Sequence, residues 1–213
     1  MKYPKFWFIP PFGLRNLFQD VVWVTKNNQV LISFDDGPTN DTLRLLDLLD
    51  EISIKSLFFL KAGSASEKEE VVKEIVNRGH LVGNHSLSHK KLRFAPLPVL
   101  EEEIVTSKRI LEELTGTEIK FFRPPYGAFD PRVLKQIKKS GQTCVMWDLL
   151  SADYLGDVYF SINLINQNIK QNSIIVLHDN RKTKDFLHIL ITETTKIIAS
   201  KNFLNGAPSE CLS

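Results

Sequence analysis

Six residues, Ser33-Phe34-Asp35-Asp36-Gly37-Pro38, constrain this chain more than any other stretch. The apolar run Val30-Leu31-Ile32 leads into them, and a helical pattern opens just after, near Thr39 or Asn40. Two adjacent carboxylates at the end of a buried strand repel each other unless a cation or a proton intervenes. In a regular strand they would point to opposite faces. Gly37 and Pro38 turn the backbone there, so both can converge on one spot. The plainer explanation is a polar strand-to-helix turn whose Asp residues cap backbone groups. The rest of the chain discriminates between the two.

At 213 residues the chain can bury one sizeable core. We read residues 28–213 as a single catalytic domain and residues 1–27 as an N-terminal extension packing on it. The net charge of +2 and the lack of a basic stripe argue against a nucleic-acid surface. Cys144 lies in an apolar run and Cys211 in the tail, which gives no disulfide framework. Near the start, Lys2 and Lys5 precede Phe6-Trp7-Phe8-Ile9, but Pro10 and Pro11 cut that run short of a signal-peptide core. The same prolines argue against an amphipathic membrane anchor there. No stretch approaches the roughly 20 apolar residues that span a bilayer.

Further along, short apolar runs alternate with helical patterns. Strands are predicted at Val30–Phe34, Ser56–Leu60, Leu81–Asn84, Ile119–Phe122, Thr143–Trp147 and Ile174–Leu177. Helices are predicted around Leu43–Leu49, Glu67–Arg78, Leu97–Leu114, Asp130–Gly141, 159–171 and Lys184–Ser200. The Glu101-Glu102-Glu103 run reads as a solvated first turn favoured by the helix dipole. Such alternation implies parallel strands with helices outside, better suited to a barrel than to an open sheet. A last strand is indistinct in Lys201–Ser213, which has the look of loop. The polar clusters, Asp35-Asp36, His85/His89, Arg123, Asp148/Asp153 and His178-Asp179, all follow predicted strands. In a parallel barrel those ends share one face, where active sites of this architecture are built.

His85 and His89, four residues apart, would aim both imidazoles at one point on a helical turn. One Asp alongside completes a two-nitrogen, one-oxygen set with open positions, suited to a catalytic zinc or another divalent transition ion. His80 and His188 have no such company and read as structural. A metal needs only one of Asp35 and Asp36, leaving the other as a base. Arg123, in Arg123-Pro124-Pro125-Tyr126-Gly127, can pair with the free carboxylate. The two prolines stiffen that turn, as an oxyanion-binding backbone amide requires. His178 is either a satisfied core histidine or, on that shared face, a general acid that Asp148 or Asp153 can keep protonated; Trp147 and Tyr154 flank it as stacking surfaces for sugars, with core packing an equal reading for Trp147.

These residues, in this order, resemble the polysaccharide deacetylase family and its NodB homology domain. The likeness runs over Phe34-Asp35-Asp36-Gly37-Pro38, His85-Ser86-Leu87-Ser88-His89, Arg123-Pro124-Pro125-Tyr126-Gly127 and Ile175-Val176-Leu177-His178, roughly residues 28–200. The resemblance implies an irregular (β/α)7-type barrel with parallel strands and outer helices. It implies Asp35 as base, Asp36, His85 and His89 as metal ligands, and Arg123 orienting Asp35. The Tyr126 amide would bind the oxyanion, His178 would protonate the leaving amine, and Leu177 would line the pocket for the acetyl methyl. Pro125, Trp147, Tyr154 and Leu177 are thus the candidate substrate contacts. One motif departs: the family's Asp-x-x-Asp-Trp is replaced by Leu150-Ser151-Ala152-Asp153-Tyr154, leaving open whether Asp148 or Asp153 supports His178.

The implied cofactor is a divalent metal, zinc first, with Co2+ or another transition ion accepted. The implied substrate is an N-acetylated glycan of the peptidoglycan or chitin type. Two alternatives stay open: a deformylase or other non-peptide amide hydrolase on the same scaffold, and an inactive carbohydrate-binding protein. The absence of an export signal reads literally as a cytoplasmic location, and no residue pattern speaks to oligomeric state.

Overall fold

The strands that carry the polar clusters are short and apolar, and they line up side by side. A computed structural model describes residues 8–213, so Lys2, Lys5, Phe6 and Trp7, which bear on the anchor question, lie outside the described residues. Seven parallel strands form one sheet: β1 (Leu31–Asp35), β2 (Leu57–Leu60), β3 (Leu81–Asn84), β4 (Phe121–Phe122), β5 (Thr143–Cys144), β6 (Leu149–Leu150) and β7 (Ile174–His178). Their order is β5-β4-β3-β2-β1-β7-β6, and the sheet curls into an irregular (β/α)7 barrel. Every residue of β1 and β2 is buried, which is why they read as continuous apolar runs.

Side-chain alternation along β1 sorts its residues between two layers. Ser33 and Asp35 face the barrel interior, where both meet Arg123. Phe34 faces the other way and stacks on Phe58 of β2 with ring centroids 5.0 Å apart. Register sets Asp35 beside His178 and Phe34 beside Leu177 across the β1–β7 pair. On β3, a Cβ at Gly83 would lie 2.6 Å from the Phe59 ring, so only glycine admits that packing.

The helices are α1 (Phe12–Leu17), α2 (Thr42–Glu51), α3 (Ala62–Ser66), α4 (Glu69–Asn77), α5 (Leu97–Glu101), α6 (Ser107–Thr115), α7 (Pro131–Lys139), α8 (Val158–Asn168), α9 (Leu187–Ser200) and α10 (Pro208–Cys211). Pro131 opens α7 as predicted, with the Asp130 carboxylate accepting from Arg132 N and Val133 N. Burial opposes that charge, but hydrogen bonds from Phe94 N, Arg132 and Val133 N pull the Asp130 carboxyl down to about 2.

Two expectations change. The seventh strand is the two-residue β6, too short for periodicity to register, whereas Lys201–Ser213 supplies only a bridge at Asn205 and helix α10. The single helix predicted over Leu97–Leu114 is broken by a wide π-turn, Glu102–Thr106. Within it Ile104 O accepts from Asn84 Nδ2 at 3.0 Å, and Ser107 Oγ donates to Asn84 Oδ1 at 2.9 Å.

Between β5 and β6 the sheet has a seam, and the N-terminal segment lies across it. Val22 N donates to Cys144 O at 2.9 Å and Met146 N to Val22 O at 2.8 Å. On the other side Leu150 N donates to Phe8 O at 2.9 Å, and Phe8 is fully buried. The seam's backbone groups thereby find partners that no neighbouring strand offers.

Candidate active site

At the carboxyl ends of the strands a cavity of about 760 Å³ is lined by Asp35, Asp36, His85, His89, Trp147 and His178, among others. Its backbone is unusual. Asp36, Ser86, His89, Tyr126 and Ala152 all adopt left-handed φ between +59° and +77° without being glycine. Such conformations cost energy and persist where surrounding contacts over-determine them. At Asp36 the consequence is direct: with φ at +77° its carboxylate leaves the strand's alternation and joins Asp35 on one side.

One ligand atom each of Asp36, His85 and His89 lies within 4.8 Å of the others. His89 Nε2 is 3.1 Å from Asp36 Oδ1, and His85 Nε2 is 4.0 Å from the same oxygen. The His85–His89 segment is a loop with left-handed turns at Ser86 and His89, not the helical turn that the four-residue spacing suggested. His85 Nδ1 sits 2.7 Å from Arg123 O, an acceptor only, so Nδ1 carries the proton and the Nε2 lone pair faces the cavity. Burial pushes the His85 pKa down to about 4, which keeps that ring neutral. Burial opposes the charge on Asp36, yet His89, His178, His85 and Asn180 hold its carboxyl well below the usual range. An anionic oxygen and two imidazole nitrogens facing one point fit a divalent transition ion.

Asp35 is held differently. Arg123, fully buried, donates from Nη1 to Asp35 Oδ1 at 2.6 Å and to Ser33 Oγ at 2.8 Å. Its Nε and Nη2 donate to Val145 O and Met146 O at 3.1 and 3.0 Å, and the guanidinium lies 4.0 Å from the Phe59 ring centroid. Burial lowers the Arg123 pKa, and Asp35 opposes that. The second Asp35 oxygen is left toward His85, 3.9 Å from Nε2.

Of the two candidate partners for His178, the structure selects Asp153. Its Oδ1 lies 2.6 Å from His178 Nδ1, and its Oδ2 accepts the His178 backbone N–H at 2.7 Å. Asp148 is not in the site. Its carboxylate accepts from Ser173 Oγ at 3.0 Å and Ile174 N at 2.9 Å, at the opposite end of β7 from His178. There burial raises the Asp148 pKa to about 6.

Tyr126, Trp147 and Tyr154 line the cavity. The Tyr126 ring, mostly exposed, lies 4.6 Å from that of His89, and Tyr154 meets His178 edge-on at 5.4 Å. A Cβ on Gly127 would come within 2.6 Å of Trp147, and φ there is +61°. Pro125 and Leu177 do not line the cavity. Pro125 is buried beneath the turn, and Leu177 is fully buried on the face of β7 opposite His178. Leu150, at the end of β6, provides the apolar wall instead.

Several contributors escaped sequence reasoning. Asn180 Nδ2 donates to Asp36 Oδ2 at 2.9 Å, and Asn180, Arg181 and Lys182 line the cavity. Asp179, which the sequence did place with His178 at a strand end, accepts from Thr39 Oγ1 at 2.8 Å and from Thr42 Oγ1, bracing the turn after Asp36. Glu103, read as solvated, is fully buried within the π-turn. Its carboxylate accepts from Ser88 N at 2.9 Å and Ser88 Oγ at 2.5 Å, between the two histidines of the trio. His80, read as structural, accepts from Ser56 N through Nδ1 at 3.1 Å, away from the site.

Known proteins resemble this chain in sequence and in fold. The family model described as polysaccharide deacetylase matches residues 24–145. A peptidoglycan-N-acetylglucosamine deacetylase of Bacillus cereus is 34% identical over 146 residues, 68% of this chain, which spans about half (52%) of that relative's length. A second protein so named from the same organism is 32% identical over 165 residues, covering 75% of this chain and 77% of the relative. The crystal structure of the Bc1960 peptidoglycan N-acetylglucosamine deacetylase superposes with a TM-score of 0.87 at 26% identity, covering 95% of this chain and 96% of that one.

Proposed function

Since this chain belongs to the polysaccharide deacetylase family, we propose that it hydrolyses the N-acetyl amide of a peptidoglycan- or chitin-like amino-sugar glycan, releasing acetate. The observation that carries this reading is the division of labour between adjacent carboxylates. Asp36 faces two imidazoles, while Asp35 is clamped by Arg123 with one oxygen left toward the same point.

Asp36, His85 and His89 are the residues to hold a divalent ion, zinc first with cobalt as a second fit; when bound it supplies Lewis-acid polarisation of the carbonyl and acidifies water. Asp35 takes the proton of the attacking water, its carboxylate kept in place by Arg123. As the tetrahedral oxyanion forms, the backbone N–H of Tyr126, a residue of the cavity wall, offsets the developing charge. His178, charged against Asp153, delivers its proton to the sugar nitrogen as the carbon–nitrogen bond breaks. Leu150 offers an apolar wall for the acetyl methyl, and Trp147, Tyr126 and Tyr154 offer faces for sugar rings. In this reading residues 28–213 form the catalytic unit.

Acetate release from chitin oligomers and peptidoglycan fragments, with metal restored after chelation, tests the proposal. Asp35→Asn is expected to abolish turnover while leaving metal bound, and His85→Ala to remove both. Full activity of either variant overturns the assignment.

A further inference from the structure

Arg181 and Lys182 line the mouth of the same cavity, and both are exposed. Among the described residues neither pairs with a carboxylate, although many of the chain's other basic side chains do, such as Lys55, Arg78, Lys108 and Lys138. Residues 1–7 contain no acidic side chain either. Among the described residues the carboxylates on the cavity wall are Asp35, already held by Arg123, and Asp36, facing the histidines and Asn180. With a divalent ion on the trio those charges are neutralised, so two cations at the mouth stand in excess.

The segment carrying them is anchored. Asn180 donates to Asp36 Oδ2 at 2.9 Å while its own Oδ1 accepts from Lys182 N at 2.9 Å. Thr183 Oγ1 donates to His178 O at 2.5 Å, and Lys184 N to Asn180 O at 3.2 Å. The turn is thus tied to Asp36 and His178, and the two cations are held near the reacting centre rather than on a wandering loop. Cations around a low-dielectric cleft focus a positive field at its entrance, and a guanidinium matches a carboxylate with two parallel hydrogen bonds.

We propose that Arg181 and Lys182 form a carboxylate subsite, so that this protein selects an N-acetylated glycan bearing acid groups next to the target sugar over a neutral chitin-type chain. The proposal rests on the deacetylase reading, and the experiment separates the two. Binding is measured on the metal-loaded Asp35→Asn protein by calorimetry, where turnover plays no part. The probes are a peptidoglycan-derived oligosaccharide with free carboxylates, the same chain with its carboxyls amidated, and a chitin oligomer of equal length.

The free-carboxylate chain is expected to bind about fivefold tighter than its amidated form at low salt, the scale of two exposed ion pairs. The preference should shrink as added salt shortens the screening length to about 8 Å or less. Combining Arg181→Ala with Lys182→Ala should bring the ratio near one, while the charge-preserving Arg181→Lys and Lys182→Arg pair should keep it. Equal binding of the free and amidated chains, or an undiminished preference in the alanine pair, overturns the subsite. Absence of acetate release from every glycan by the unmutated protein bears instead on the deacetylase reading.

Discussion

A single carboxylate, that of Asp153, holds both the ring and the backbone of His178: Oδ1 lies 2.6 Å from Nδ1, and Oδ2 accepts the backbone N–H at 2.7 Å. Burial by itself would discharge the imidazolium, but Asp153, with Asp35 and Asp36 beyond it, raises the His178 pKa to about 9. In metal-free protein the ring should therefore stay protonated through neutral pH, as NMR titration of its carbon-bound protons would record. Asp153→Asn should bring titration far below 9. Because the folded pKa lies above the ordinary value of 6.5, the stabilisation is complete below pH 6.5 and is lost as pH rises through 9. The stability gap between the parent protein and Asp153→Asn in urea should accordingly be wider at pH 6 than at pH 10.

Asp148 provides the contrasting case. It lies five residues before Asp153 in sequence, but its carboxylate serves Ser173 and Ile174 at the far end of β7. Asp148→Asn should leave kcat essentially unchanged, whereas Asp153→Asn should lower it by about 10²-fold or more, the scale of a lost general acid. Acetate-release kinetics on the two variants decide this, and a comparable loss in both would restore Asp148 to the site.

Arg123 is fully buried, and its removal strands the Asp35 charge. Breaking a buried ion pair from one side costs about 3–5 kcal/mol. Arg123→Ala should therefore lower stability by that order in denaturant titration as well as reduce turnover. Arg123→Lys should recover only part of either, because one ammonium cannot reach Asp35, Ser33, Val145 O and Met146 O together.

Glu103 fixes Ser88, and with it the loop between His85 and His89. Outer groups that orient metal ligands typically account for 10- to 100-fold in affinity. Glu103→Gln keeps the shape but loses the charge, and it should weaken metal binding by roughly tenfold in competition with a chromophoric chelator. Lys90, whose exposed ammonium lies 3.4 Å from the same carboxylate, should matter far less.

What the amino-acid sequence determined by itself is local. Short apolar runs punctuated by Gly, Pro and helical periodicity identify β1, β2, β3 and β7, and the polar residues at their ends mark one end of the sheet. Asp35, Asp36, His85, His89, Arg123 and His178 were legible because their chemistry is uncommon and their motifs are contiguous. Only tertiary structure decided the rest. Whether Asp148 or Asp153 reaches His178, whether Leu150 or Leu177 faces the cavity, and whether Glu103 meets water or Ser88 all depend on register and on contacts between segments distant in sequence. A two-residue strand such as β6 has too few side chains to show a period, and a buried carboxylate looks like a solvated one until its partner, 15 residues away, folds against it. Periodicity reports which side of an element is apolar; it carries no information about which neighbour the polar side will meet.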